Sequence, residues 1–415
     1  MAGARTDDPV QLRSATTAVT PPQAWERLAP HCLPLPAVDV PIAEAHGRTL
    51  AATVASSVAL PRETNSAMDG FGIRQADGPH ERALIAGESR AGEPFSGELP
   101  AGAAVRIATG GTLPAGVDAV VKVEDAVVDG DRVSLPAVPL HHNIRFAGED
   151  LAVGGEVAAA GTRLAPHHLV ALAAAGRATV PCCRRPVVSI VVTGDEVVAP
   201  GAEVGPGQVT DTHGIALPAL VRAASAEVGE VLHAPDGRTE LRSALGGLAP
   251  CDVVLVTGGL SVGRHDHTRP VLEELEVDLV VERLLLRPGQ PTAIGVRRGS
   301  GQLWFGLPGN PVSAYAIARL FLVPALRALS GADLAPATGQ TRPLTAPARP
   351  DATRWLALRG TSSPSGVAVL QGQGSHMVAA LAAADVLVLL EPGEAPLAPG
   401  QLVRAISLDP FGGLA

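Results

Sequence analysis

The sequence predicts a multidomain α/β protein. Its parts are a doubly wound α/β domain, an interrupted helical and mixed domain, a β-rich insertion domain and a small β-barrel-like C-terminal domain. Three observations carry this reading. Between Val187 and about Ser330, apolar runs of strand length alternate with helical stretches, as βαβ units do. Three of those runs end in glycine turns. Short strands separated by glycine-rich turns fill residues 61–146 and return in the tail. A chain of 415 residues exceeds one ordinary core, so two to four domains are expected.

Taken in order, residues 1–21 read as a mobile polar lead-in. Pro21-Pro22 then opens a helix through Leu28, with proline in its first turn. A helical pattern continues through residues 42–54. Residues 22–60 are expected to join 147–185 in one linking and dimerisation domain, interrupted by the insertion at 61–146. Within the insertion, Asp129-Gly130 between alternating runs predicts a hairpin. Pro166–Gly176 is apolar on most sides and should be a buried helix packed near residue 45.

Residues 186–335 form the doubly wound domain. Val187–Val192 ends in Thr193-Gly194-Asp195-Glu196. Asp252–Val256 ends in Thr257-Gly258-Gly259, with Ser261, Asp266 and Thr268 just beyond. Leu303–Leu307 ends in Pro308-Gly309-Asn310-Pro311, with Ser313 opening a helix. Ligands of open α/β sheets sit beyond the carboxyl ends of the strands. All three turns should therefore share one edge, offering N–H groups to phosphate and carboxylates to a metal. Val277–Leu286 reads as one long strand leading into Arg287-Pro288-Gly289-Gln290-Pro291. Residues 331–350 look like a linker, and 340–415 a closing β domain with strands near 355–358, 367–370, 386–390 and 402–406.

Composition narrows the function. The 32 basic residues are outnumbered by 41 acidic ones, and no basic block is present, which argues against nucleic acid as a partner. Cys32, Cys182, Cys183 and Cys251 have no metal-binding or disulfide spacing, in keeping with a reducing, cytoplasmic setting. No secretory signal and no uninterrupted apolar run of membrane length is visible, so no membrane partner is expected. Neither a Walker-type loop nor a dinucleotide fingerprint appears.

Several clusters have two readings from chemistry alone. Thr64–Phe71, containing Asp69, is either a capped turn or a polar site. Glu196 beside Asp195 suits Mg²⁺, with Asp236 and Asp266 completing the set, or else a helix-dipole partner. Arg287, fixed between proline and glycine, is an oxyanion donor or a solvated turn residue. His213, His265 and His267 fit hydrogen-bonded surface positions.

Together these stretches resemble the molybdopterin molybdenumtransferase family (MoeA and the related gephyrin E domain). The resemblance rests on NSAMDGFG at 65–72, IATGGTLPAGVDAVV at 107–121, AGED at 147–150 and VVTGDE at 191–196. It continues in VTGGLSVGRHD at 256–266, RPGQP at 287–291 and GLPGNPVSA at 306–314. It spans residues ~22 to 408 in order and implies a homodimer whose doubly wound domain is MogA-like and binds molybdopterin. The implied reaction takes adenylylated molybdopterin and molybdate, inserts molybdenum at the dithiolene and releases AMP, with Mg²⁺ assisting. Carried over by position, Asp69 and Thr109 face the site from the partner subunit's β domain, and Asp150, Glu196, Asp236 and Asp266 line it. Glu196, Asp236 and Asp266 are the implied metal ligands. Gly258, Gly259, Ser261, Arg287, Pro308, Gly309, Asn310 and Ser313 hold the pterin, and Arg354 and Ser375 close the site. Molybdopterin adenylyltransferase and recipient molybdoenzymes are the implied partners. Arg287 and Gln290 stand where the family usually has lysines, leaving one cation of two. A non-catalytic pterin carrier is the alternative, and a free-standing adenylylating enzyme a third reading.

Overall fold

The computed structural model of the chain describes residues 18–260, 267–332 and 339–409. The fold divides into two compact units, Asp39–Cys182 and the chain up to Val38 with Cys183 onward.

In the larger unit, a six-stranded sheet runs in the order Glu227–Ala234, Val187–Thr193, Val253–Thr257, Leu303–Leu307, Ala293–Arg297, Val277–Val281. The first four strands are mutually parallel. Ala293–Arg297 runs antiparallel to both its neighbours, Leu303–Leu307 and Val277–Val281, so the parallel sheet that βαβ alternation implies is mixed at this edge. Side chains alternate between two cores, as strand parity requires. Val188, Ile190, Val192 and Phe305 face one, against Leu217, Leu220 and Ile317. Val191, Val254, Val256 and Trp304 face the other, against Leu241 and Val271. Helices thus cover both faces, and that double burial is why these strands read as unbroken apolar runs.

The helix Pro21–Leu28 is capped by Thr20, whose Oγ1 accepts from Gln23 N while Gln23 Oε1 accepts from Thr20 N. It buries Ala24, Trp25 and Leu28 in the first of these cores. Grouping residues 22–38 with 147–185 is therefore corrected, since the apolar stripe of the helix finds its partner in the α/β domain. The expected strand Val277–Leu286 is broken. Leu285 donates to Val19 O and Val19 to Arg283 O, and Leu286–Arg287 then pairs with Trp355–Leu356 of the tail.

Pro311–Leu329 is one helix with a π-turn at Ala318–Leu322, just before Pro324. Pro324 lacks an N–H and would crowd the preceding turn, which the wider π-turn relieves. By length and composition alone the helix Pro311–Leu329 would suffice to cross a membrane. Yet 89% of its apolar window is buried inside the fold, as a core helix is.

The tail forms a second sheet, ordered Leu286–Arg287, Trp355–Ser363, Val386–Leu390, Leu402–Ser407, Gln340–Pro343. Gly366–Val369 pairs with Trp355–Ser363, and a Leu344–Val367 bridge brings the sheet's ends together. The expected linker at 331–350 thus contains a strand, Gln340–Pro343.

In the smaller unit, six strands run in the order Ala119–Lys122, Gly70–Ile73, Ala104–Ile107, His80–Ser89, Arg132–Leu135, Val127–Asp129. The last two pair across Gly130, whose φ of 63° suits the turn. A separate core joins Val40, Leu50 and Val54 to Leu164, Leu172 and Val180. Residues 42–54 are not helical as expected. They form a 3₁₀ turn, Ile42–Glu44, and a short strand, Val54–Ala55, around Gly47 at φ 74°. The helix Pro166–Ala174 buries only Leu172, and Val170 is exposed. Its three alanines demand little burial and Val170 faces solvent, so the expected full burial does not hold.

Candidate functional site

The three glycine turns leave adjacent parallel strands at one level. Val192 pairs with Thr257, Thr257 with Leu307, and Thr193 with Ala234. The turns starting at Gly194, Gly258 and Pro308, together with the loop holding Asp236, therefore share one rim. Gly258 N donates to Leu307 O (3.0 Å), and Thr193 Oγ1 donates to Thr257 O (2.8 Å). Gly258 and Gly259 have φ of 92° and 60°, and a Cβ on either would lie 2.6 Å from a threonine hydroxyl. Close packing of this turn, as well as backbone freedom, demands the glycine pair. His213 is buried rather than on the surface. Its Nε2 pairs with Gly309 O (2.9 Å), tying the helix His213–Ala223 to the third turn.

Acidic groups gather on this rim, with a different pairing from the one expected. Asp195 N donates to Asp236 Oδ2 and Asp236 N to Asp195 Oδ1, both at 3.2 Å. The Glu196 carboxylate lies instead over Gly194, where a Cβ would meet its Oε2 at 2.7 Å. Ser261, His265 and Asp266 lie outside the described residues. Among the described residues, no three His, Cys, Asp or Glu side chains converge on a metal-sized space. Mg²⁺ keeps several waters and needs only one or two carboxylates, so the exposed Asp195–Asp236 pair fits it as an anchor.

Beside the rim lies a cleft of about 270 Å³, and six of the expected binding residues meet there: Arg287, Pro308, Asn310, Ser313, Arg354 and Ser375. Pairing of Leu286–Arg287 with Trp355–Leu356 brings the tail sheet to the turn of the α/β domain. Arg287 is exposed and has no side-chain partner among the described residues. Arg354 pairs with Asp351 at 3.0 Å. The Asp351 carboxyl is held down at about 2, chiefly by the Thr353 N–H and then by the Arg354 guanidinium, so it anchors Arg354 at any neutral pH. The Gln290 amide oxygen, oriented to satisfy its neighbours, faces Arg283 Nε and Nη2 at 3.3 Å each. A second cation therefore adjoins the segment where the family usually carries lysine.

Asp69, Thr109 and Asp150 belong to the smaller unit. Asp69 Oδ1 accepts from Thr109 N (2.7 Å) and Thr109 Oγ1 (3.0 Å). These two bonds, the backbone one foremost, hold its carboxyl below the usual range. Asp150 is exposed, and its N–H donates to Leu60 O (3.0 Å).

Sequence reasoning missed Asp195 as the partner of Asp236, Arg283 beside Gln290, Gln373 in the cleft wall and Arg359 behind that wall. An arginine within the apolar run Trp355–Gly360 was the available signal for Arg359.

The larger unit thus sets a two-sided α/β sheet with a polar carboxyl-end rim beside an arginine-lined cleft against its tail sheet. Three family profiles match in order along the chain. They are described as the MoeA N-terminal region (domains I and II) at residues 19–176, a probable molybdopterin binding domain at 189–328, and the MoeA C-terminal region (domain IV) at 343–408. The chain is 33% identical over 381 residues to a molybdopterin molybdenumtransferase of Haemophilus influenzae, covering 89% of this chain and 92% of that one. It is 27% identical over 414 residues to one of Staphylococcus epidermidis, covering 94% and 96%. A solved molybdopterin biosynthesis MoeA protein of Pyrococcus horikosii superposes with a TM-score of 0.81 at 28% identity, covering 94% of this chain and 99% of that one. The chain belongs to the molybdopterin molybdenumtransferase family, transferases of molybdenum cofactor biosynthesis.

Proposed function

We propose that this chain transfers molybdenum from molybdate to the dithiolene of adenylylated molybdopterin and releases AMP. The observation that carries this reading is the cleft that sets Arg287 and Arg354 beside Asn310 and Ser313, next to the glycine-turn rim. Two anions must approach each other in this reaction, so the protein's main task is to offset their repulsion. Arg287, unpaired, is suited to the oxyanion. Arg354, fixed by Asp351, gives a second charge in one orientation. Gly258, Gly259 and Gly309 bring backbone close enough to line the pterin phosphate, with Ser261 beyond them. Asp236, with Asp195 at its side and Glu196 and Asp266 nearby in sequence, would hold Mg²⁺. When bound, that ion neutralises phosphate charge and polarises the leaving phosphate.

In this reading the doubly wound domain is MogA-like and binds the pterin. The protein works as a cytoplasmic homodimer, in which Asp69 and Thr109 complete the site of the partner subunit. It receives substrate from a molybdopterin adenylyltransferase and passes product to molybdoenzymes. Incubation with adenylylated molybdopterin, Mg²⁺ and molybdate is expected to release AMP and yield cofactor that activates an apo-molybdoenzyme. Gln290 in place of a lysine favours the carrier alternative. Confirmed pterin binding without AMP release would establish that alternative and reject turnover.

A further inference from the structure

Behind one wall of the cleft lies a charged side chain that the sequence reading did not use. Arg359 sits in the strand Trp355–Ser363 and is 0% exposed. One of its terminal nitrogens, Nη2, donates to Gly372 O (2.6 Å) and Gly374 O (3.1 Å). Its Nε and Nη1 are buried and have no hydrogen-bond partner among the described residues. No carboxylate pairs with it among the described residues, and burial alone pulls its pKa down from the ordinary arginine value. Gln373 clamps the same place from the main chain. Its Oε1 accepts from Arg359 N (3.0 Å), and its Nε2 donates to Arg359 O (2.9 Å) and Leu370 O (2.8 Å). Gln373, Gly374 and Ser375 are themselves cleft wall. The guanidinium therefore stands one loop's thickness from the cleft, with two nitrogens, carrying three N–H donors, unmatched among the described residues.

A buried charge with unmatched donors costs stability, and well-packed apolar residues usually serve a core better. Its placement makes sense if the missing counter-charge arrives with a ligand. Low dielectric between charge and cleft leaves the field little screened, by water or by salt. We propose that Arg359 is a positioning residue for the oxyanion of the cleft. It holds the Gly372–Ser375 wall by its carbonyls and lends the cleft a fixed positive field that only a bound tetrahedral dianion such as molybdate offsets. This rests on the reading of the cleft as the oxyanion site.

The test uses the full-length protein and molybdate alone, titrated calorimetrically, with thermal midpoints measured in its absence. Arg359→Gln removes the charge and keeps donors, whereas Arg359→Lys keeps the charge. Arg359→Gln is expected to weaken molybdate binding by about tenfold or more while the anion-free midpoint stays level or rises. Arg359→Lys should stay within about threefold of the parent protein. In AMP release, the KM for molybdate should rise in Arg359→Gln far more than kcat falls. A folded Arg359→Gln that binds molybdate like the parent overturns the inference and leaves the cleft reading intact. Equal losses in both variants also overturn it, because geometry rather than charge would then be at work. If Arg359→Gln does not fold, Arg359→Lys decides: affinity kept supports the inference, and affinity lost in a folded protein overturns it. Failure of the parent protein to bind molybdate removes the cleft reading and the inference together.

Discussion

Asp69 shows how two local bonds set a protonation state. With Thr109 N–H and hydroxyl both donating to Oδ1, the charged carboxylate is favoured and its pKa is depressed. A depressed carboxyl contributes stability above its unfolded pKa and loses it as pH falls through the lower folded value. The tie between the Asp69 and Thr109 turns therefore holds at neutral pH and through the ordinary carboxylate range, and it loosens only in stronger acid. Thr109→Val removes the hydroxyl donor and leaves the backbone one. The Asp69 midpoint, followed by carboxyl NMR, should rise part of the way to the usual value, and an unchanged midpoint would contradict this account. The Asn-Ser-Ala-Met-Asp-Gly stretch admits a capped-turn reading, and Ser66 does act so, donating to Met68 O while accepting from Met68 N. Gly70 follows for a packing reason invisible in sequence, since a Cβ there would lie 1.9 Å from Val121 O.

Among the elements, the strand Val253–Thr257 is held at both ends. Its carboxyl end opens the Gly258-Gly259 turn. At its start, Asp252 takes both terminal nitrogens of Arg184 (2.8 and 2.7 Å) and the N–H of Val187 (2.8 Å). That carboxylate joins two neighbouring parallel strands at the end opposite the rim. Asp252→Asn is expected to destabilise the α/β domain by about 1–3 kcal/mol in urea unfolding, because charge-assisted bonds to a half-buried arginine are lost. A loss below a few tenths would mean that solvent replaces the fork. Strands of this kind were legible because both faces are buried and β-branched residues dominate. Legibility failed where composition misleads: the alanine-rich helix Pro166–Ala174 looked buried, and Val277–Leu286 looked continuous. In the second case hydrogen bonds from Val19, more than 250 residues away, end the strand. No local pattern encodes such a partner.

The molecule as a whole is two units with separate cores, each of a size that folds cooperatively. Unfolding should therefore depart from two-state behaviour, with a calorimetric enthalpy exceeding the van't Hoff value. Equal enthalpies would show a single cooperative block. Within the larger unit, Tyr315 Oη donates to Leu408 O and Arg319 Nε to Ser407 O, fastening the long helix to the last strand of the tail. That fastening sets the tail against the α/β domain, and the cleft forms where they meet.

The sequence by itself determined the βαβ alternation, the three glycine turns and the family, because these depend on short-range periodicity and on fixed local words. The shared rim followed from them, since parallel strands of similar length end together. Only the tertiary structure decided that Pro21–Leu28 belongs to the α/β domain, that Asp195 pairs with Asp236, and that Arg359 lies uncompensated behind the cleft. Each of those depends on which distant surface a side chain meets once the chain is packed, and spacing along the chain carries no record of that.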